Sequence, residues 1–429
     1  MDWGKYIIFL SILSLGLFSA CQKTDINATA NPTTSAIRIY GDHDGYFLNS
    51  FEPTADGGFM FGGYTNTSAG MGQQGFIQKT DKHGNILWKK TYGGKNMDIF
   101  AVVHVTSDGG FIAAGTTTSF GNAAIRHDAD EDCYLVKMDA NGDTLWQRTF
   151  GDIYFDRFYD VTETPDHGFV AVGIYNMQSA SVTYVVKMDN KGTMEWAKQY
   201  YPNAYWTWGD AVTIGPNDDI GIAGYVVKSN NIANLNTNYP SFILLNSSGK
   251  PLDYLNSKVN FPEDSTWGPL VISTYYNYAA TSNIEKIISR ADGYILVVNL
   301  IAVGPNSIMV FKVDFKGNIQ WQHQYFGKNS FAFMNNISNN IEGGLLISGG
   351  TIDPSGLSYT WLLNTDATGL KLWENFIPVS GYNIWAAGAI PVGNNYAVGV
   401  NLVSAGASTT TYFGLINIDQ NGKIIETNK

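Results

Sequence analysis

An Asp-x-x-Gly turn followed four residues later by Trp recurs along the chain, as Asp81-Gly84-Trp88, Asp139-Gly142-Trp146, Asp189-Gly192-Trp196, Asp314-Gly317-Trp321 and Asp366-Gly369-Trp373. Two degenerate copies complete the series: Asn246-Gly249 lacks the tryptophan, and Asp419-Gly422 is followed by Glu426 at the tryptophan position. The seven glycines are separated by 58, 50, 57, 68, 52 and 53 residues. A period of this size marks a stack of equal units, because one such unit cannot bury both of its faces alone. The longest interval, between Gly249 and Gly317, is read as an insertion around Tyr275 to Lys286 in unit five.

Each unit carries four strand-like runs around the marker. In the second, Asp98 to Val105 is followed by the turn Ser107-Asp108-Gly109-Gly110, then by runs at 111–115, 133–137 and 144–149. Asp-Gly-Gly and Asp-x-x-Gly suit hairpin turns, where Gly supplies positive φ without a side-chain clash. Four short antiparallel strands repeated radially predict an all-β fold, a single β-propeller of seven four-stranded blades. Trp88, Trp146, Trp196, Trp321 and Trp373 fall early in the outermost strands and are expected to dock against the neighbouring blade. Ile37 to Gly41 resembles the end of a fourth strand but heads no unit of its own. It is expected to complete the last blade, near Lys423 to Thr427, and so close the ring and hide its edges.

Composition fits this reading and excludes others. Of the 429 residues, 14% are aromatic and only 15% charged, which no disordered chain would show. Two cysteines cannot make a disulfide framework, and a net charge of −11 is the wrong sign for a nucleic-acid surface.

The amino terminus reads as an address. Met1 to Lys5 is polar with one lysine, and Tyr6 to Leu17 is almost wholly apolar, too short to span a bilayer but the length of a signal-peptide core. Leu17-Phe18-Ser19-Ala20-Cys21 resembles a bacterial lipobox, which implies cleavage before Cys21 and its lipidation; an ordinary secretory signal with an incidental cysteine is the alternative. Residues 22–35 are polar and rich in Thr and Asn, a tether with nothing to pack. The expected organisation is a signal peptide at 1–20, a lipidated tether at 21–36 and the propeller at 37–429. That places the chain in a bacterial envelope, on the outer membrane, with periplasmic and outward display both open.

The run Asp-Gly-Gly, then Phe-Ile-Ala-Ala-Gly-Thr-Thr, Tyr-Leu-Val-Lys-Met-Asp, Gly and Trp resembles the seven-bladed β-propeller repeat family of bacterial exported proteins across nearly all of 37–429. This resemblance implies fold and export without a defined activity. The Asp-x-x-Gly-x-x-x-Trp piece is also similar to the tryptophan-docking motif of quinoprotein dehydrogenases, typically eight-bladed enzymes with a calcium-bound quinone. This sequence has seven units and, after Cys21, only Cys133.

Chemistry-bearing motifs are sparse. Cys133 begins a third strand, where a buried thiol is expected, and the histidines show no ligand spacing. No nucleophile elbow, phosphate loop or paired-carboxylate motif stands out, so no catalytic residue is assigned. The acidic run from His127 to Asp132 offers Asp128, Asp130 and Asp132 as calcium ligands or, alternatively, is a solvated loop. No other cofactor is expected. More informative are aromatics assigned to loops on one propeller face, the ligand-binding candidates Tyr154, Tyr205, Trp206, Trp208, Trp267, Tyr382 and Trp385. Rigid rings among amide-rich loops suit a glycan or a protein hot spot, and equally suit packing between blades. The sequence points to a monomeric, non-enzymatic binding or scaffolding module with an envelope protein or glycan as partner. It would touch the membrane only through its lipid anchor and no nucleic acid. The alternative is an envelope enzyme, quinone-dependent or acting on polysaccharide, with its site in the channel.

Overall fold

The computed structural model describes residues 37–41, 44–66, 72–122, 130–177, 180–200, 205–228, 238–252, 270–271, 281–301, 306–327, 332–405 and 410–425. These form seven four-stranded antiparallel sheets, each in consecutive order from the inner strand outward except the last. Blade one comprises Tyr46–Pro53, Phe59–Asn66, Gln73–Thr80 and Ile86–Tyr92. Blade two comprises Asp98–Val105, Phe111–Thr117, Asp132–Met138 and Thr144–Phe150, and blade three Arg157–Glu163, Phe169–Met177, Ala180–Met188 and Met194–Tyr200. The inner strands of blades four to seven are Tyr205–Ile214, Thr281–Arg290, Ala332–Asn339 and Tyr382–Val392. Neighbouring inner strands pack on one another, and that of blade seven packs on that of blade one, so the ring closes. The chain is therefore a seven-bladed β-propeller, as its repeats predict.

Closure uses both ends of the chain. Ile37–Tyr40 pairs antiparallel with the third strand of blade seven, Thr411–Ile418, while Ile424 bridges Ile418 further along the same edge. The fourth strand is thus shared by the two ends. The seam is buried under aromatic packing, with Tyr40, Phe61, Phe76 and Phe413 in one cluster. A side chain links the same two blades: the Asn401 amide donates to the Leu48 carbonyl at 2.8 Å and accepts from the Leu48 N–H at 2.7 Å.

The repeated marker is an inter-blade joint. In each turn the Asp or Asn carboxyl or amide oxygen accepts backbone N–H groups two and four residues on, as Asp139 does from Asn141 and Asp143. The turn glycine holds φ near +77° in Gly84, Gly142 and Gly422, a region costly for any other residue. The preceding blade's tryptophan lies against that glycine: a Cβ on Gly192 would fall 2.7 Å from Trp146, and one on Gly249 2.9 Å from Trp196. The indole N–H of Trp146, Trp196 and Trp373 donates to the carbonyls of Asn190, Ser247 and Gln420. Two residues after the tryptophan position a second tie recurs. Lys90 reaches Asp143, Arg148 the Gly192 carbonyl, Lys198 the Ser248 carbonyl and Asn375 the Asn421 carbonyl. Arg38 does the same for blade one through Asn85.

One expectation needs correction. Lys286 is not in an insertion but in the inner strand of blade five, and Tyr275 lies outside the described residues. Blade four keeps its turn at Asn246 and Gly249, directly after which Pro251 bridges Leu245 and the Leu252 N–H donates to the Leu244 carbonyl; among the described residues its outer strand is Leu270–Val271.

Candidate functional site

The inner strands line the central channel, and all seven carry a register shift at one equivalent position. The unpaired residues are Asn49, Ala101, Tyr159, Asp210, Glu285, Asn335 and Ala387. A bulge bends and twists its strand, so it sets the curvature of the channel wall at one depth. Hairpin turns joining first to second and third to fourth strands project at one end of the ring. The remaining connections, and the starts of the inner strands, lie at the other end, the mouth.

Two residues before the bulge, at one level near the mouth, stand Phe47, Ile99, Arg157, Trp208, Asn283, Phe333 and Trp385. Four of these seven are aromatic, which makes an aromatic layer. Phe47 stacks on Tyr64 with centroids 5.0 Å apart, and Trp208 on Tyr225 at 4.6 Å. Trp206 lies 6.0 Å from Trp208, half-buried above that stack. Phe333 and Trp385 crowd the space over Gly350, where a Cβ would strike both. At blade three the layer holds a charged pair instead: Arg157 donates to both Glu131 oxygens at 2.6 and 2.7 Å, and Thr116 donates to the same carboxylate.

This placement revises the aromatic candidates. Tyr205, Trp206, Trp208, Tyr382 and Trp385 lie in inner strands and not in loops. Their β-bias and alternate spacing are strand signals as much as site signals. Trp208 is only 5% exposed and serves as packing, whereas Trp206, Tyr382 and Trp385 remain half-buried. Tyr154 is the one described member in a connection between blades. Trp267 falls outside the described residues. Phe47 and Phe333 share the layer and were missed, since only the bulge register aligns them with Trp208 and Trp385.

Deeper in the channel, charge replaces rings. His104 of blade two bridges Glu52 of blade one, Nδ1 to Oε1 at 2.5 Å, and Asp160 of blade three, Nε2 to Oδ1 at 3.1 Å. Glu52 also accepts the Val105 N–H, and Asp160 accepts the Val212 N–H of blade four. Burial opposes protonation of His104, but Glu52 and Asp160 outweigh it and hold the imidazole pKa up at about 10. Burial also opposes the charge of Asp160, yet Lys286 and His104 keep its pKa below the ordinary carboxylate value. With both ring nitrogens occupied and its proton held far above neutrality, His104 is poorly matched to general-base work near pH 7. It fastens three blades together.

The other reactive groups are similarly committed. Cys133 is buried, and that burial pushes its thiol well above the ordinary value, away from the thiolate a nucleophile needs. Ser107, His167 and Glu163 meet at the turn end, but one nitrogen, Nδ1 of His167, faces both Ser107 Oγ and Glu163 Oε1 at 3.1 Å. Ser107 donates directly to Glu163 at 2.5 Å, so no proton path runs from the serine through the imidazole to the acid. Among the calcium candidates, Asp128 lies outside the described residues, Asp130 is half-buried, and Asp132 is buried against Gly151 beside Asp156. Among the described residues no group of three or more His, Cys, Asp or Glu is placed to hold a metal ion.

No family model and no curated protein matches the chain. Solved structures do. An ulvan lyase of polysaccharide lyase family PL25, bound to GlcA(1-4)Rha3S, superposes with a TM-score of 0.54 at 9% identity, covering 90% of this chain and 97% of its own. The polysaccharide lyase Uly1 gives 0.50 at 11% identity, covering 93% and 94%. A puromycin hydrolase mutant complexed with PGG gives 0.52 at 11% identity, covering 95% of this chain and 55% of the hydrolase. Such low identities establish a shared propeller fold and nothing finer.

Proposed function

We propose that this chain is a lipid-anchored recognition module of a bacterial envelope, held to the outer membrane through Cys21, with the channel mouth as its binding face. The observation that carries this reading is the contrast between the two depths of the channel. At the mouth, the half-buried rings of Trp206 and Trp385 stand beside stacked aromatic pairs. Below, His104 and its carboxylate partners are tied to one another across blades. Rings held rigid by packing bind flat apolar faces at little entropic cost, as ligand sites require. A glycan is the first ligand class to try, because a pyranose presents such a face together with hydroxyls. An envelope protein remains the second.

The test uses the propeller from residue 36 onward, screened against glycans and envelope-protein extracts, beside Trp206→Ala and Trp385→Ala. Loss of about tenfold or more in either variant, with the melting profile kept, supports the mouth as the binding face. Binding unchanged in both variants would sink it.

A further inference from the structure

The aromatic layer at the mouth differs from one side of the ring to the other. Blades six, seven and one present Phe333, Trp385 and Phe47 there, each half-buried. Side chains alternate along a strand, so the bulge residue two positions on lies below its ring on the same side of the strand. Below Phe333 and Phe47 that residue is an asparagine, Asn335 and Asn49, and below Trp385 it is Ala387, which ends at a methyl. Asn49 is exposed and Asn335 half-buried. Over three consecutive blades the wall therefore offers rings above and amides below, with a step back at Ala387 between the two amides.

Each amide is held in place by one N–H. Asn335 donates to the Ala386 carbonyl of blade seven and Asn49 to the Phe100 carbonyl of blade two, both at 2.7 Å. A carboxamide carries two donors and an accepting oxygen, so a second N–H and the oxygen remain to meet a ligand. Among the described residues neither oxygen accepts a hydrogen bond. The rings are fixed as well, Phe47 by its stack on Tyr64, and Phe333 and Trp385 by their packing over Gly350. The rest of the ring is built differently. In the layer, Ile99 and Trp208 are buried and Arg157 is tied to Glu131. At the bulge position, blades four and five carry the carboxylates of Asp210 and Glu285.

We infer that the sector of blades six, seven and one is a subsite for an uncharged pyranose at the end of a neutral glycan, stacked on the rings with its hydroxyls on Asn49 and Asn335. This rests on the mouth being the binding face and adds which sugars it takes and where they sit. A pyranose turns an apolar C–H face to an aromatic ring, while the hydroxyls round its edge both donate and accept, as an amide does. None of the six side chains of the sector is ionisable, so a charged sugar gains no partner there. A uronate would also face Asp210 and Glu285 at the same level, where like charges repel across a poorly screened channel. An amino sugar would be drawn to blades four and five instead.

Binding is read by calorimetry on the full chain with neutral tetrasaccharides of glucose, mannose and galactose, beside tetragalacturonate and a glucosamine tetramer. At least one neutral probe is expected to bind about tenfold or more tightly than either charged one. A uronate or amino probe that binds as well or better, or no binding of any neutral probe, overturns the proposal. Phe333→Leu keeps an apolar side chain but removes the flat face, and should weaken the neutral probe about tenfold. Asn49→Ala should weaken it about three- to tenfold, the range of one lost hydrogen bond. Both are compared at an unchanged melting profile. Asn49→Ser, which restores a hydroxyl donor and acceptor, should recover part of the loss and stands in if the alanine variant fails to fold. Binding that falls in Trp206→Ala or Trp385→Ala, but in neither Phe333→Leu nor Asn49→Ala, keeps the mouth as the binding face and overturns the sector. Binding unmoved by all four removes the mouth as well.

Discussion

The propeller is held together by two kinds of joint between blades, and they follow different rules. At the outer rim one solution is reused: a ring or long side chain from one blade caps an Asp-x-x-Gly turn of the next. The acceptors are backbone carbonyls of that turn, as for Trp146 on Asn190, Tyr92 on Gly142 and Tyr200 on Gly249. Backbone geometry is the same in every copy, so the same residue type serves each time. At the inner wall some ties recur, Asn299 on the Met334 backbone matching Asn401 on the Leu48 backbone, but they vary more from one interface to the next and include buried charge. Blades one to three use Glu52, His104 and Asp160, whereas blades five and six are joined by Asn299 to the Met334 backbone. Blades six and seven are joined by Asn335 to the Ala386 carbonyl. The outer joint is periodic and its charges lie at the exposed rim, as in Lys90 with Asp143, whereas the inner one varies between blades and holds buried charge.

The largest effect that tests this contrast is at the rim. Trp146 covers Gly192, meets Phe169 edge-on at 5.9 Å and donates to Asn190. Trp146→Ala is expected to cost about 3 kcal/mol by urea unfolding, near the lower end for truncating a large ring because it is half-buried. Nothing in that joint titrates near neutrality, so the loss should be the same at pH 6 and pH 9. A loss that varies with pH would mean that this tryptophan joint depends on charge.

The inner joint predicts the opposite behaviour. His104 has its pKa raised from 6.5 to about 10. A base with a raised native pKa contributes stability that is complete below the unfolded value and lost as pH climbs through the native one. The native chain should therefore lose stability between about pH 6.5 and 10, and His104→Gln should flatten that window. Breaking a buried ion pair costs roughly 3–5 kcal/mol. About a third of the His104 side chain is open, so about 2 kcal/mol at pH 6 is the expected loss. An unchanged pH slope in His104→Gln would show that the bridge does not set the inner joint.

The same division explains what the sequence made legible. Blade number, strand order, closure by Ile37 to Tyr40 and the docking tryptophans all follow from periodic marks, because each blade answers an identical packing problem. The channel did not yield in this way. Glu52, His104 and Asp160 sit 52 and 56 residues apart, and only the closed ring makes them neighbours. The aromatic candidates were found by type but misplaced. Trp206, Trp208 and Trp385 resemble exposed loop rings in a linear reading, whereas the bulge at Asp210 and at Ala387 continues an inner strand through what the spacing suggested was a connection. Phe47 and Phe333, carrying no motif, became visible only through register.

The smallest effect concerns the connection where the two kinds of joint meet, between the outer strand of blade two and the inner strand of blade three. Asp156 accepts the N–H groups of Asp152 at 2.9 Å and Asn176 at 2.8 Å, which favour its charge. Burial nevertheless dominates and, with Asp152 and Asp132 nearby, raises its pKa to about 7. An acid with a raised native pKa favours the fold fully below its unfolded value near 3.8, and that contribution is lost as pH rises through 7. This carboxyl should thus lower stability progressively between about pH 4 and 7, the reverse of an ordinary salt-bridged aspartate and a window separate from that of His104. Asp156→Asn should remove the slope, changing the pH 7 to pH 4 difference by roughly 1–2 kcal/mol once water at the loop is allowed for. The amide can accept only one of the two N–H bonds well, so a constant loss at all pH values is expected beneath the flattened slope. A slope that survives in Asp156→Asn would place the titrating group elsewhere and leave burial at this connection without energetic consequence.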